Sequence, residues 1–146
     1  MEKKQFKIEI AAPREKVWKI LWGDKTYPAW TSVFAEGSRV ETNWEEGSKV
    51  LFLDGKCEGV VSTIAQKVPN EFMSFKHVGM VKNGVEDLNS EQIKEWAGAL
   101  ENYRLNTLGG KTELVVDMDM TEEFKDYFTN TWPKGLDKVK ELAEKN

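Results

Sequence analysis

Residues 121–143 read Thr-Glu-Glu-Phe-Lys-Asp-Tyr-Phe-Thr-Asn-Thr-Trp-Pro-Lys-Gly-Leu-Asp-Lys-Val-Lys-Glu-Leu-Ala. Phe124, Tyr127, Phe128, Thr131, Trp132, Leu136, Val139, Leu142 and Ala143 fall on one helical face, with Lys125, Asp126, Lys134, Asp137, Lys138 and Glu141 opposite. That spacing predicts a long amphipathic helix capped by Thr121. Pro133 removes the amide that bonds to Thr129 and is expected to kink it. Gly135 lies on the apolar side of the kink and leaves space there.

Immediately upstream, Thr112–Met120 alternates Leu114, Val116, Met118 and Met120 against Glu113, Asp117 and Asp119. This is a half-buried strand, paired through Gly109-Gly110 with Tyr103–Leu108. Further strands are expected at residues 4–11, Arg39–Trp44, Lys49–Leu53, Gly59–Gln66 and Glu71–Val78. Nothing helical interrupts the middle run, so the sheet is expected to be antiparallel. Pro13 opens a first short helix through Val17, Trp18 and Leu21 to Gly23. A second, from Pro28 to about Phe34, is expected to bury Trp30, Val33 and Phe34. Asn89-Ser90-Glu91-Gln92 caps a small inserted helix over Ser90–Ala97, flanked by Gly84 and Gly98; it has the composition of a lid.

The expected fold is α+β: a curved antiparallel sheet of six to seven strands around one long C-terminal helix, with two short helices after the first strand, in one domain spanning 1–146. One helix cannot fill a strongly curved sheet, so a cavity is expected between them.

Composition narrows the function. The chain has 146 residues and a net charge of −4. Residues 1–25 carry seven basic and four acidic groups, leaving an acidic remainder, so no nucleic-acid partner is expected. No apolar run approaches a membrane span, and the N-terminus does not read as a secretory signal. Cys57 is the only cysteine. It excludes an internal disulfide and fits a cytoplasmic location.

The chain lacks a phosphate loop, a dinucleotide fingerprint and a nucleophile elbow, so no cofactor and no catalytic residue are assigned. One histidine rules out a histidine-rich catalytic metal centre. Glu113, Asp117 and Asp119 read as a solvated strand face rather than a cation site. His77 shares a strand face with Met73 and Phe75, and is expected to sit partly exposed near the strand's end. Six Trp, seven Phe and three Tyr remain to be placed. The expected cavity wall is Trp30, Phe34, Met73, Phe75, His77, Trp96, Tyr103, Leu105, Val116, Met118, Phe128, Thr131, Trp132 and Leu136. The Tyr103 hydroxyl, Trp indoles and Thr131 are its expected polar contacts.

Ala11-Ala12-Pro13 with Val17-Trp18, Leu21 and Trp30 resembles the opening of the START-like (SRPBCC) helix-grip superfamily. Glu46-Gly47, Gly59-Val60-Val61, Pro69-Asn70-Glu71-Phe72, Thr112–Val116 and the Trp132, Leu136, Leu142 series extend the resemblance along the chain. More narrowly, it resembles single-domain homologues of the heat-shock-protein-90 ATPase activator. The resemblance implies a deep cavity between sheet and last helix. These residues specify turns and packing rather than chemistry. Binding of a small apolar or amphipathic ligand is the leading expectation. A stand-alone co-chaperone with a chaperone partner, and a cavity enzyme of cyclase, dehydratase or hydrolase type, are the alternatives.

Overall fold

The computed structural model describes residues 1–145. The chain runs β1 (Glu2–Ile10), α1 (Arg14–Trp22), α2 (Thr26–Thr31), β2 (Arg39–Glu41), β3 (Lys49–Leu53), β4 (Gly59–Val68), β5 (Phe72–Lys82), β6 (Val85–Asp87), α3 (Glu91–Lys94), β7 (Leu100–Leu108), β8 (Lys111–Met120), a 3-10 turn (Glu122–Phe124) and α4 (Lys125–Glu144). All eight strands form one antiparallel sheet in the order β1-β8-β7-β5-β4-β3-β2, with β6 hydrogen-bonded to β5. The first strand therefore lies beside the last, with Phe6 opposite Val116 and Ile8 opposite Leu114. Between β1 and β2 the chain passes from one sheet edge to the other. α1 and α2 make that crossing and pack against α4.

The alternation of β1 and β8 is realised as read. Ile10, Leu114 and Val116 are fully buried, and so is Val139 on α4. Glu113, Asp117 and Asp119 stand on the outer face. There they meet Asn106, Gln5 and Lys3 respectively.

Several elements differ from the reading of the sequence. β5 continues to Lys82, and Asn83-Gly84, both at positive φ, turn it into an eighth strand. Every residue of β6 is exposed, so no hydrophobic alternation announces it. The strand predicted over Arg39–Trp44 ends at Glu41, because the Thr42 and Asn43 side chains accept the amides of Trp44 and Glu45 and bend the chain. Trp44, at φ 62°, turns onto Trp22, with ring centroids 5.5 Å apart. α2 spans Thr26–Thr31 and leaves Val33 exposed rather than buried. The inserted helix is one turn, Glu91–Lys94, capped by Ser90.

Thr121 precedes the 3-10 turn, and its buried hydroxyl has no partner, so it does not cap the long helix. Pro133 lies inside α4 without ending it. Gly135 leaves no void. A Cβ there would lie 2.9 Å from the Phe34 ring, which occupies that space.

Candidate functional site

A cavity of about 450 Å³ lies between the sheet, α2 and the start of α4. Of the fourteen expected wall residues, eight line it: Trp30, Phe34, His77, Trp96, Tyr103, Met118, Phe128 and Trp132. Met73, Phe75, Leu105, Val116 and Leu136 do not; they are buried in the core. Thr131 is also off the cavity, its hydroxyl donating to the Tyr127 carbonyl at 2.6 Å.

Trp22 accounts for much of the displacement. Its ring packs 5.4 Å from Phe75 and 4.8 Å from Tyr103, filling that half of the space between sheet and helix. Met73 borders a second cleft instead, with Trp18, Trp22, Trp44 and Lys67. Met1, Phe124 and Tyr127 are exposed lining residues and form a rim.

The aromatic wall is interlocked. Trp132 sits 4.9 Å from Phe34 and 6.0 Å from both Trp30 and Tyr103. Most of its polar atoms are committed within the protein. The Trp30 indole donates to the Leu21 carbonyl at 3.1 Å, and the Trp132 indole points to Met118 Sδ at 2.8 Å. Thr31 donates to the Tyr27 carbonyl and Tyr127 to the Phe34 carbonyl.

One polar chain enters this apolar wall. Ser62 Oγ lies 2.6 Å from His77 Nδ1, and His77 Nε2 lies 3.2 Å from Glu101 Oε1. The Tyr103 hydroxyl donates to Glu101 Oε2. Burial, reinforced by the Glu101 charge and that hydrogen bond, raises the Tyr103 phenol well above its ordinary range. Burial, then the same charge, raises Tyr27 too. Both phenols therefore stay neutral.

His77 is not at a strand end. It lies within the extended β5, opposite Ser62, with its side chain 13% exposed. The order serine, imidazole, carboxylate invites comparison with a nucleophilic triad. Ser62 is fully buried and does not line the cavity, so its hydroxyl has no access to a substrate there.

Glu101, Tyr27 and Phe52 are lining residues that the sequence reading missed. Glu101 had a usable signal. It stands two residues before Tyr103 and so shares its face. The spacing predicts a strand over Tyr103–Leu108, whereas β7 starts at Leu100, its amide bonded to Asp119. Among the described residues, no three His, Cys, Asp or Glu side chains are grouped to hold a metal, and no helix is long and apolar enough to cross a membrane.

The architecture is that of the helix-grip class: a curved antiparallel sheet holding one long C-terminal helix above a cavity. Solved structures of this shape bear it out. Protein MLL2253 from Mesorhizobium loti superposes with a TM-score of 0.75 at 13% identity, over 97% of this chain and 96% of that one. The Aha1 dimer from Colwellia psychrerythraea gives 0.74 at 18% identity, over 99% and 97%. CalU16 from Micromonospora echinospora gives 0.67 at 15% identity, over 97% and 75%. At these identities the likeness is one of fold. No family model matches the sequence, and no curated protein matches it.

Proposed function

We propose that this protein, acting as one START-like unit across 1–146, binds a small, largely apolar ligand in the cavity beneath α4. The observation that carries the reading is the cavity itself. It holds about 450 Å³, walled by Trp30, Phe34, Trp96, Phe128 and Trp132, with one carboxylate–imidazole pair among them. That volume falls in the range of small-molecule sites, which combine an apolar wall with few polar groups. Burying about 300 Å² of ligand surface at about 25 cal/mol per Å² yields about 7 kcal/mol, a micromolar ceiling from which association costs are still to be subtracted.

The test is intrinsic tryptophan fluorescence during titration with fatty acids, sterols, flavonoids and aromatic amphiphiles. The expected result is saturable quenching or a blue shift, weakened in Trp132→Phe and retained in Trp44→Phe, which lies off the cavity. A flat response with every class sinks the reading.

A second reading, a cavity enzyme, is favoured by one observation. His77 and Tyr103 both bond to Glu101 at the cavity wall, placing an imidazole, a carboxylate and a phenol together. In that reading His77 moves the proton, and Glu101, held in place by the Tyr103 hydroxyl, orients the imidazole. Loss of turnover in His77→Gln with ligand affinity intact is the expected result; unchanged turnover removes it. A stand-alone co-chaperone role, with a chaperone partner, calls instead for a packed interior and an exposed apolar docking patch; an open cavity weighs against that role.

A further inference from the structure

The charge of the ligand can be read from the cavity wall, given the ligand-binding reading above. Asp54, Glu58, Glu101 and Asp119 contribute to the lining, and among the described residues no lysine or arginine does. Asp54 turns its carboxylate onto the amides of Lys56 and Glu58, and Asp119, though it borders the cavity, turns its carboxylate to the outer face, onto Lys3 and the amide of Leu100. Glu101 is different. It shares the inward face of β7 with Tyr103 and Leu105, and its side chain is only 15% exposed.

An ionised carboxylate offers about four lone-pair positions. In Glu101 each oxygen has one recorded partner, His77 and Tyr103. Acceptor capacity therefore remains at the wall, while the donors of Trp30, Trp132, Tyr103 and Thr31 are already committed and the unpartnered Thr121 hydroxyl is a neutral one. Aromatic rings, in which this wall is rich, attract a cation over their faces. An anionic guest would have to shed water beside Glu101 with no lysine or arginine on the wall to receive it, the Met1 amine standing out at the rim, and a buried unpaired charge is costly.

We propose that the cavity selects a hydrophobic amine, its ammonium group donating to Glu101 and its apolar body against Trp30, Trp96 and Trp132, and that it rejects fatty acids and other carboxylates. An apolar body on the scale of a fused bicycle fits within the cavity with room to spare.

The test is calorimetric titration at pH 8 with three probes of one shape: 2-(1-naphthyl)ethylamine, 2-(1-naphthyl)ethanol and 1-naphthylacetate. The amine is expected to bind at least about tenfold tighter than the carboxylate, with the alcohol between them. Glu101→Gln should collapse that ratio toward one. Asp117→Asn changes net charge equally on the outer face and should preserve it. The wild-type ratio decides alone if Glu101→Gln fails to fold. An alcohol that binds while amine and carboxylate bind equally overturns the charge selection and leaves the cavity reading standing. A preference lost equally in Asp117→Asn assigns it to long-range charge and also overturns the proposal. Binding by none of the three overturns both.

Discussion

The Phe34 ring lies against Gly135 so closely that a methyl group on the glycine would sit 2.9 Å from the ring edge. An alanine in a helix normally gains about 1 kcal/mol over glycine. Here overpacking, typically about 1–3 kcal/mol, opposes that gain. Gly135→Ala is expected to leave the protein no more stable, or less stable by about 1 kcal/mol. In a Phe34→Ala background the same change should stabilise. Urea denaturation of the four proteins checks the sign reversal. Equal effects in both backgrounds would remove Phe34 as the cause.

Two tryptophans separate packing from hydrogen bonding. The Trp30 indole donates to Leu21, whereas the buried Trp22 indole has no partner. Replacement by Phe removes similar ring area in both. Trp30→Phe also discards a hydrogen bond, so it should cost about 1 kcal/mol more than Trp22→Phe. Equal losses by chemical denaturation would contradict the assignment.

The last turn of α4 is tied to the end of β1. Glu144 accepts the Ala11 amide at 2.8 Å and pairs with Lys140 at 2.6 Å. The Lys140 bond first, then the Ala11 amide, lowers the Glu144 carboxyl below its ordinary value of 4.5. A lowered folded-state value means stability that is present above 4.5 and disappears as pH falls through the folded value. Glu144→Gln should therefore be less stable than wild type at pH 7, and the gap should close below pH 4. Denaturation midpoints across that range give the curve; a gap that widens on acidification would refute the linkage.

Asn83 and Gly84 hold φ values of 53° and 75° in the β5–β6 turn. Asn83→Val places a β-branched side chain where it is strained, at about 1–2 kcal/mol. Because β6 is wholly exposed, the expected loss is local. Amide exchange should quicken in Val85–Asp87 while the β7–β8 ladder keeps its protection. Uniform loss across the sheet would make the hairpin part of the global core.

These predictions mark what the sequence made legible. β1, β8 and the stripe of α4 carry strict periodicities, and burial on one face produces both the pattern and the element. Asn83-Gly84 is a strong short hairpin signal, yet β6 buries nothing, and without alternation the turn had no strand to announce. The cavity wall was legible only by face. Phe75, Leu105 and Val116 do face inward, but Trp22 fills the space above Phe75, a tertiary event that no local spacing encodes. Glu101 went unread because a charged residue beside a strand start resembles loop, and its inward turn depends on His77 and Tyr103, its partners across and along the sheet.

The pairing of the first strand with the eighth has a temporal side. Gln5 meets Asp117 across 112 residues of chain. On the ribosome β1 is made first, yet its hydrogen-bonding partner emerges only when nearly all of the protein has been synthesised. An unpaired, apolar-faced strand invites wrong partners. The strand's outward residues are Lys3, Gln5, Lys7 and Glu9, and these polar side chains keep one face of the waiting segment wetted. Closure of the sheet is thus a late, long-range event, and this topology should refold slowly relative to helical proteins of its size.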